Sequence, residues 1–318
     1  MPPVWLEPTE QEAFAVSSNR YIRFLHAAQV QVHRLPLPRY SHRFSRHTYT
    51  QQQLLTLLLF KEYLQVTYRN AVDLISLMGE VCRLLNLRIV PHFTTLQKFL
   101  ARMPSGLLSH LIHHLAEVTL PPDATVSMIA VDATGFTCDY ASDWYCIRTG
   151  KTRKAFMKLS IAVDTERLIL LGFTMSRTPI HEIRQAPAVL RQAYRHVHAP
   201  VYVMDKAYDA EVIHQCIVED LKAEALIPAR KSSRNVVTGH YRSRAYDQFD
   251  PDRYHQRSAV ETTFSIMKRK WGGDLTARKR WYQRKQMKLK LAVYALERLG
   301  ILSFLRRMRA FLQSRNYR

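Results

Sequence analysis

The sequence predicts a mixed α/β layer sandwich, preceded by a helical region and followed by a basic helical tail. Three observations carry that expectation. Residues 50–120 repeat apolar side chains at helical spacing, and residues 126–227 alternate short apolar runs with helical stretches. The 318-residue chain also carries 47 Lys and Arg against 26 Asp and Glu. Short apolar runs separated by helices are the pattern of strands covered by helices, and such sheets present reactive groups at strand ends.

A net charge of +21 on a chain that is 47% hydrophobic describes a globular protein whose surface repels itself. A polyanion relieves that repulsion, and nucleic acid is the default partner. An anionic membrane competes for that role. However, the longest apolar run, residues 54–60, falls far short of the roughly 20 residues that span a bilayer, so no membrane partner is expected. The first ten residues carry acids and prolines where a secretory leader needs a basic start and an apolar core. Cys82, Cys138, Cys146 and Cys216 form no Cys-x-x-Cys pair. A reduced, cytoplasmic compartment is expected, with neither a zinc ribbon nor a disulfide framework.

Residues 1–48 read as a basic irregular arm. It ends in Arg39-Tyr40-Ser41-His42-Arg43-Phe44-Ser45-Arg46-His47, which suits either a solvated linker or a DNA contact. Residues 49–122 read as a helical DNA-binding region. Thr50 caps a leucine-rich helix over 51–64, and Ala71, Val72, Ile75 and Met78 share one face of the next. After a break at 86–91, Thr94 or Thr95 caps a helix that reaches Arg102. Three short helices closing on one that bears Lys98 and Arg102 suggest a helix-turn-helix whose last helix meets DNA. A further helix follows over 104–123. Its His110, His113 and His114 have no acid beside them and read as a half-buried face rather than a metal site.

The core is placed at 123–275. Strands are expected over 126–132, 156–163 and 168–175, the last two joined by a turn at Asp164. A helix over 186–197 carries Pro187 in its first turn, and a strand over 201–205 follows. Asp209 caps a helix over 210–221, a fifth strand covers 223–227, and a basic polar stretch, 229–252, leads to a long helix from Tyr254. The order is β-β-β-α-β-α-β-α. The tail, 276–318, is dense in Lys and Arg, with Trp281 and Tyr282 among them. It suits a DNA track, the preferred reading, while its amphipathic part, 285–305, also allows a packed terminal helix.

Two acids stand apart by position. Asp132 and Asp205 each end a buried apolar run, where a carboxylate is rare unless it is paired or holds a metal. On adjacent strands they suit a pair of divalent ions roughly 4 Å apart, as phosphodiester chemistry often requires. Asp164 and Asp209 are given the plain roles of turn residue and helix cap. On the last core helix Tyr254, Arg257, Glu261 and Lys268 fall within a stripe of about 60°. Val260, Phe264, Met267 and Trp271 form an apolar stripe beside it. The helix would anchor by one edge and present Glu261 to a metal, with Arg257 and Lys268 to phosphates. Taken alone, the stripe better describes a solvated charged face.

The spacing Tyr254-x2-Arg257-x3-Glu261-x6-Lys268 resembles the Tyr-Arg-Glu-Lys signature of insertion-sequence transposases of the IS4/IS5 superfamily, IS5-like in its detail. Val131-Asp132-Ala133-Thr134-Gly135 is similar to that family's first-Asp motif, and Met204-Asp205-Lys206-Ala207-Tyr208-Asp209 to its second. Thr67-Tyr68-Arg69 and residues 90–99 resemble its N-terminal region, so the likeness runs from about residue 50 to 300. Ala207 departs from the pattern, standing where the family usually has Gly, and Ala resists positive φ.

The resemblance implies an RNase H-like core in which Asp132, Asp205 and Glu261 hold two Mg²⁺ ions, with Mn²⁺ as a substitute. Tyr254, Arg257 and Lys268 would position DNA. The implied partners are the terminal inverted repeats and target DNA, the working complex is a homodimer or larger, and the location is nucleoid-associated. A decayed transposase that only binds DNA is the competing expectation, followed by a plain nuclease of the same fold.

Overall fold

The computed structural model describes residues 19–121, 124–138, 148, 150, 156–177, 181–231 and 236–315. Residues 1–18 of the expected arm, Pro122, Asp123 and Cys146 lie outside these. The chain divides into two units, residues 120–283 and residues 1–119 with 284–318.

In the first of these units, nearly continuous burial of Val, Ile, Leu and Met along the strands, the mark of a sheet covered on both faces, builds a five-stranded sheet. Its strands are β1 (Ile129–Thr137), β2 (Phe156–Asp164), β3 (Leu170–Ser176), β4 (Val201–Met204) and β5 (Glu224–Leu226). Their order is β3-β2-β1-β4-β5. β1, β2 and β3 form an antiparallel meander, whereas β4 and β5 run parallel to β1. The β2–β3 turn is held by Asp164, whose fully buried carboxylate accepts from the backbone N–H groups of Glu166 and Arg167 and pairs with the Arg167 guanidinium at 3.2 Å. The turn role expected of it is the one it has.

Helix α7 (Glu182–His196) covers β2 and β3. Gly172 permits its approach, since a Cβ there would meet the Val189 carbonyl oxygen at 2.7 Å. The helix begins four residues before the expected start, so Pro187 lies inside it rather than in the first turn. The cost is one missing hydrogen bond near the N-terminus. α8 (Glu211–Gln215) passes into a π-helical turn at Cys216–Asp220. The basic stretch after β5 contains a helix that periodicity did not reveal, α9 (His240–Asp247). α10 (Pro251–Tyr254) is capped by Asp250 and runs through a 3₁₀ turn (His255–Arg257) into α11 (Ser258–Trp271). The expected start near Tyr254 is therefore early by one turn. Pro251 at the first helical position and the Asp250 cap explain the difference.

The other unit is helical. Asn19 caps α1 (Arg20–His33), in the stretch expected to be irregular; its buried face of Ile22, Leu25, Ala28 and Val32 is the signal that marks the helix. α2 (Gln51–Tyr63) has the Thr50 cap in a reciprocal capping box with Gln53. It is buried on all sides from Leu54 to Phe60, which makes it the central helix of the unit and accounts for its lack of a polar face. α3 (Tyr68–Leu77), α4 (Gly79–Leu84), α5 (Phe93–Arg102) and α6 (Ser105–Thr119) follow. α5 is capped by His92, whose ring nitrogen accepts from the Thr94 N–H, and not by Thr94 or Thr95. Leu96, Phe99 and Leu100 of α5 are buried, while Lys98 and Arg102 are exposed. His114 on α6 hydrogen bonds Gln31 at 2.9 Å. No helix among the described residues is long and apolar enough to cross a membrane.

The tail is one 36-residue helix, α12 (Arg280–Arg315). Its lysines between 285 and 290 are engaged within the unit. Buried Lys285 donates through Nζ to the carbonyls of Leu100, Ala101 and Met103 at 2.6–2.9 Å. A cation there satisfies the open C-terminal carbonyls of α5 and complements its dipole. Lys288 binds Ser105, and Lys290 lies 3.4 Å from buried Glu62. This part of the tail is thus the packed helix rather than the DNA track. Replacing Lys285 with Met is expected to cost about 2–3 kcal/mol, because three carbonyls lose a charged donor. Urea denaturation checks this, and an unchanged midpoint overturns it.

Candidate active site

The parallel pairing of β1 and β4 brings the two sequence-predicted aspartates together. Val131 pairs with Met204, so the next residues on the two strands are Asp132 and Asp205. Side chains alternate across a strand. Asp132 shares its face with Thr134 and Phe136, and the register carries Asp205 onto that same face. This is the face that α11 covers, since Lys268 reaches Thr134 and Arg257 reaches Asp132 there. In one respect the sequence expectation needs correction. Asp132 does not end its strand, because β1 continues to Thr137 through its pairing with β2. What ends at Asp132 is the pairing with β4, which exposes the carboxylate to the groove beyond Met204.

Burial pushes the Asp132 carboxyl up to about 6; the Ala133 N–H and Arg257 pull it down, and Asp205 and Glu182 push it further up. The Asp132 Oδ1 accepts from the Ala133 N–H at 2.7 Å, and Oδ2 accepts from Arg257 at 3.0 Å. Asp205 caps a 3₁₀ turn (Lys206–Tyr208), accepting from the Lys206 N–H at 2.6 Å. Ala207 sits inside that turn and is not among the residues with positive φ, so Gly is not needed there. Tyr208 follows, fully buried. Burial holds its phenol well above the usual range, with the charges of Glu182 and Asp132 adding to the effect.

Arg257 joins the acids. One nitrogen of its guanidinium holds Asp132, and another donates to Glu261 Oε1 at 2.5 Å. Its guanidinium carbon lies 5.7 Å from the centroid of the Tyr254 ring. Burial raises the Tyr254 phenol, and the charges of Asp205 and Asp132 also raise it. Tyr254, Arg257, Glu261, Asp132 and Asp205 therefore form one cluster. Lys268 stands further along β1, donating to Thr134 Oγ1 at 2.7 Å with its amine 5.4 Å from the Phe136 ring. Burial lowers its pKa. The apolar stripe of Val260, Phe264, Met267 and Trp271 is buried, as its spacing predicts.

Carboxylate oxygens side by side in a desolvated groove suit a hard divalent cation such as Mg²⁺ or Mn²⁺. Asp132 and Asp205 meet that requirement by strand register, and Asp132 also by the burial that raises its carboxyl, to which the charge of Asp205 adds. Glu261 is 56% exposed and paired with Arg257. Among the described residues no three acids, histidines or cysteines converge closely enough to form a ready cage. The donor set thus fits a divalent ion through its two aspartates, with Glu261 at the rim.

Asp209 is the residue that sequence reasoning misplaced. It does not cap α8, whose N-cap is Ala210. Its carboxylate is fully buried, and it accepts from His214 Nε2 at 3.0 Å, the Arg230 N–H at 2.6 Å, and Arg242 Nε and Nη2 at 2.9 and 2.6 Å. Burial opposes its charge, but these donors prevail and hold its pKa well below the carboxylate range. Glu211 adds a second tie. It accepts from the backbone N–H groups of Tyr241 and Arg242 at the start of α9, across Gly239 at φ 106°, whose missing Cβ leaves room for the carboxylate. Arg230, Arg242 and His214 carried no local sequence signal, since their partner lies up to 33 residues away. On the opposite face of the sheet, Glu182 pairs with Lys158 at 2.7 Å, a fourth acid close enough to influence Asp132.

The fold and its cluster define a carboxylate-centred α/β domain, with two acids on neighbouring parallel strands and a basic helix laid across them. Residues 125–296 match the family described as transposase DDE domain, and the chain belongs to that family. No curated protein sequence matches it. Membership places the chain among nuclease and strand-transferase enzymes that act on DNA, a class that generally uses divalent metals.

Replacing Asp209 with Asn leaves Arg242 and His214 facing a neutral amide in a buried site. The expected loss is about 3–5 kcal/mol. Because the folded pKa of Asp209 lies below its unfolded value, its contribution is complete above the unfolded value of about 4 and disappears as pH falls through the folded one. The variant should therefore show a flatter acid limb in urea-measured stability across that window. Equal acid limbs would exclude this role.

Proposed function

We propose that this protein is an insertion-sequence transposase of the IS4/IS5 superfamily that binds terminal inverted repeats, cleaves DNA at the element's ends and joins the freed 3′-OH to target DNA. The observation that carries the proposal is the in-register placement of Asp132 beside Asp205 under the helix bearing Tyr254, Arg257 and Glu261. The sheet order β3-β2-β1-β4-β5, with three antiparallel and two parallel strands, supports an RNase H-like core.

Asp132, Asp205 and Glu261 would hold the divalent ions, which supply an activated water and charge stabilisation at the leaving oxygen. This chain's own residues do the rest. Arg257 keeps Asp132 and Glu261 aligned, and with Lys268 it offers fixed positive charge to the phosphate backbone. The Tyr254 ring lies beside the Arg257 guanidinium, 5.7 Å from its carbon. The exposed Lys98 and Arg102 of α5 are the proposed DNA contacts of the helical unit. No covalent protein–DNA intermediate is required, and no Ser or Tyr nucleophile is assigned. Because two ends are processed together, the working complex is at least a homodimer.

The test is an end-cleavage and joining assay. Labelled duplex flanking the gene is incubated with protein and Mg²⁺ or Mn²⁺, beside Asp132→Asn, Asp205→Asn and Glu261→Gln. Nicks at an inverted repeat and joined products are expected from the unaltered protein, with losses of at least about 100-fold in each variant, as for removal of a group acting directly on developing charge. Cutting that survives all three substitutions would sink the assignment, and binding without cutting would favour a decayed enzyme.

A further inference from the structure

The segment between α1 and α2 has neither helix nor strand over residues 34–49, yet it is held in place. The Gln51 N–H donates to the Arg39 carbonyl at 2.9 Å, and the side chains of Gln51 and Gln52 donate to the Pro38 and Leu37 carbonyls at 2.9 and 2.6 Å. Inside the loop, Ser45 donates to the His42 carbonyl through both its N–H and its hydroxyl, at 3.0 and 2.7 Å. The Phe44 N–H donates to His42 Nδ1 at 3.2 Å. The rings of Tyr40 and His47 stack at 4.1 Å and 17°, closing the loop at its base.

The tip so formed presents Phe44, which is 78% exposed. The Arg43 guanidinium lies over one face of that ring, 4.5 Å from its centroid. Arg39, His42, Arg46 and His47 are exposed around it. No Asp or Glu occurs between Glu12 and Glu62, a stretch that holds seven Arg and Lys. The loop thus combines a dense positive charge, no carboxylate of its own, and a large apolar ring that stays exposed although Arg43 and the tilted ring of His42, 5.2 Å away, lie against it. A protein partner would answer the ring with an apolar pocket and the charge with scattered acids. DNA answers both at once, because phosphates alternate with flat apolar bases at fixed spacing.

We propose that residues 39–47 form a DNA-contacting element in which Arg43 and Arg46 meet phosphates and the exposed ring of Phe44 stacks on a base. The proposal rests on the transposase reading above and adds to it a contact outside the acid cluster and outside α5.

The test measures binding of the full chain to a labelled random-sequence duplex and to the matching single strand by fluorescence anisotropy across a salt series. The variants are Phe44→Ala and the double replacement of Arg43 and Arg46 by Ala. All these side chains are exposed, and matched thermal melts establish that the variants are folded. The arginine variant should reduce the slope of log affinity against log salt by about 2, at close to one unit per lost phosphate contact. Phe44→Ala should keep the slope and weaken binding about tenfold, the order expected for one lost base stack. Heparin, which carries the charge but no bases, should lose nothing from Phe44→Ala. DNA binding by the unaltered protein that both variants match overturns the arm and leaves the transposase reading standing. No DNA binding by the unaltered protein overturns both. An equal effect of Phe44→Ala on heparin and DNA overturns the base stack.

Discussion

Two carboxylates forced side by side are the constraint around which the α/β unit is arranged. The parallel register of β1 with β4 leaves Asp132 and Asp205 as neighbours on one face, and burial raises the Asp132 carboxyl. Such a pair is tolerable only beside positive charge. Arg257 supplies it, and its position depends on everything that orients α11, namely the buried stripe from Val260 to Trp271, the Asp250 cap and the 3₁₀ turn that carries Arg257 over the sheet. The cluster follows from the sheet register and the helix placement together, and neither alone would create it.

The same logic appears at Asp209 with the opposite outcome. There a fully buried carboxylate meets a full set of donors, so its charge is stable and its function is architectural. It fastens the chain after β5 and the start of α9 to the end of β4. Among the described residues Asp132 has Arg257 as its cationic partner and a carboxyl raised by burial, whereas Asp209 meets His214, Arg242 and the Arg230 N–H and is held low by them. Only three residues separate Asp205 from Asp209, yet the donors around the two differ.

Charge is divided in a similar way in the helical unit. Lys285, Lys288 and Lys290 appear in the sequence as part of a basic tail, but they cap α5, bind Ser105 and neutralise Glu62. Net charge is therefore a poor guide to which cations are engaged within the fold and which face solvent. The exposed arginines of the arm, together with Lys98 and Arg102, are of the second kind.

The sequence by itself determined the element order of the core, the apolar edge of α11, the Thr50 cap, the Asp164 turn and the candidacy of Asp132, Asp205 and Glu261. These are local properties, set by side-chain period, backbone propensity and the rarity of acids beside apolar runs. It left α1 and α9 unseen: α1 carries a local Asn19 cap and an apolar face inside a stretch read as irregular, whereas α9 has no buried residue and takes its cap from Glu211 at a distance. Only the tertiary structure decided that Asp132 lies within its strand rather than at its end, that Arg257 bridges two acids, and that Asp209 is a hub rather than a cap. Each of those facts is a pairing between residues far apart in the chain, and a hydrogen bond or ion pair of that kind leaves no periodic trace in the sequence that encodes it.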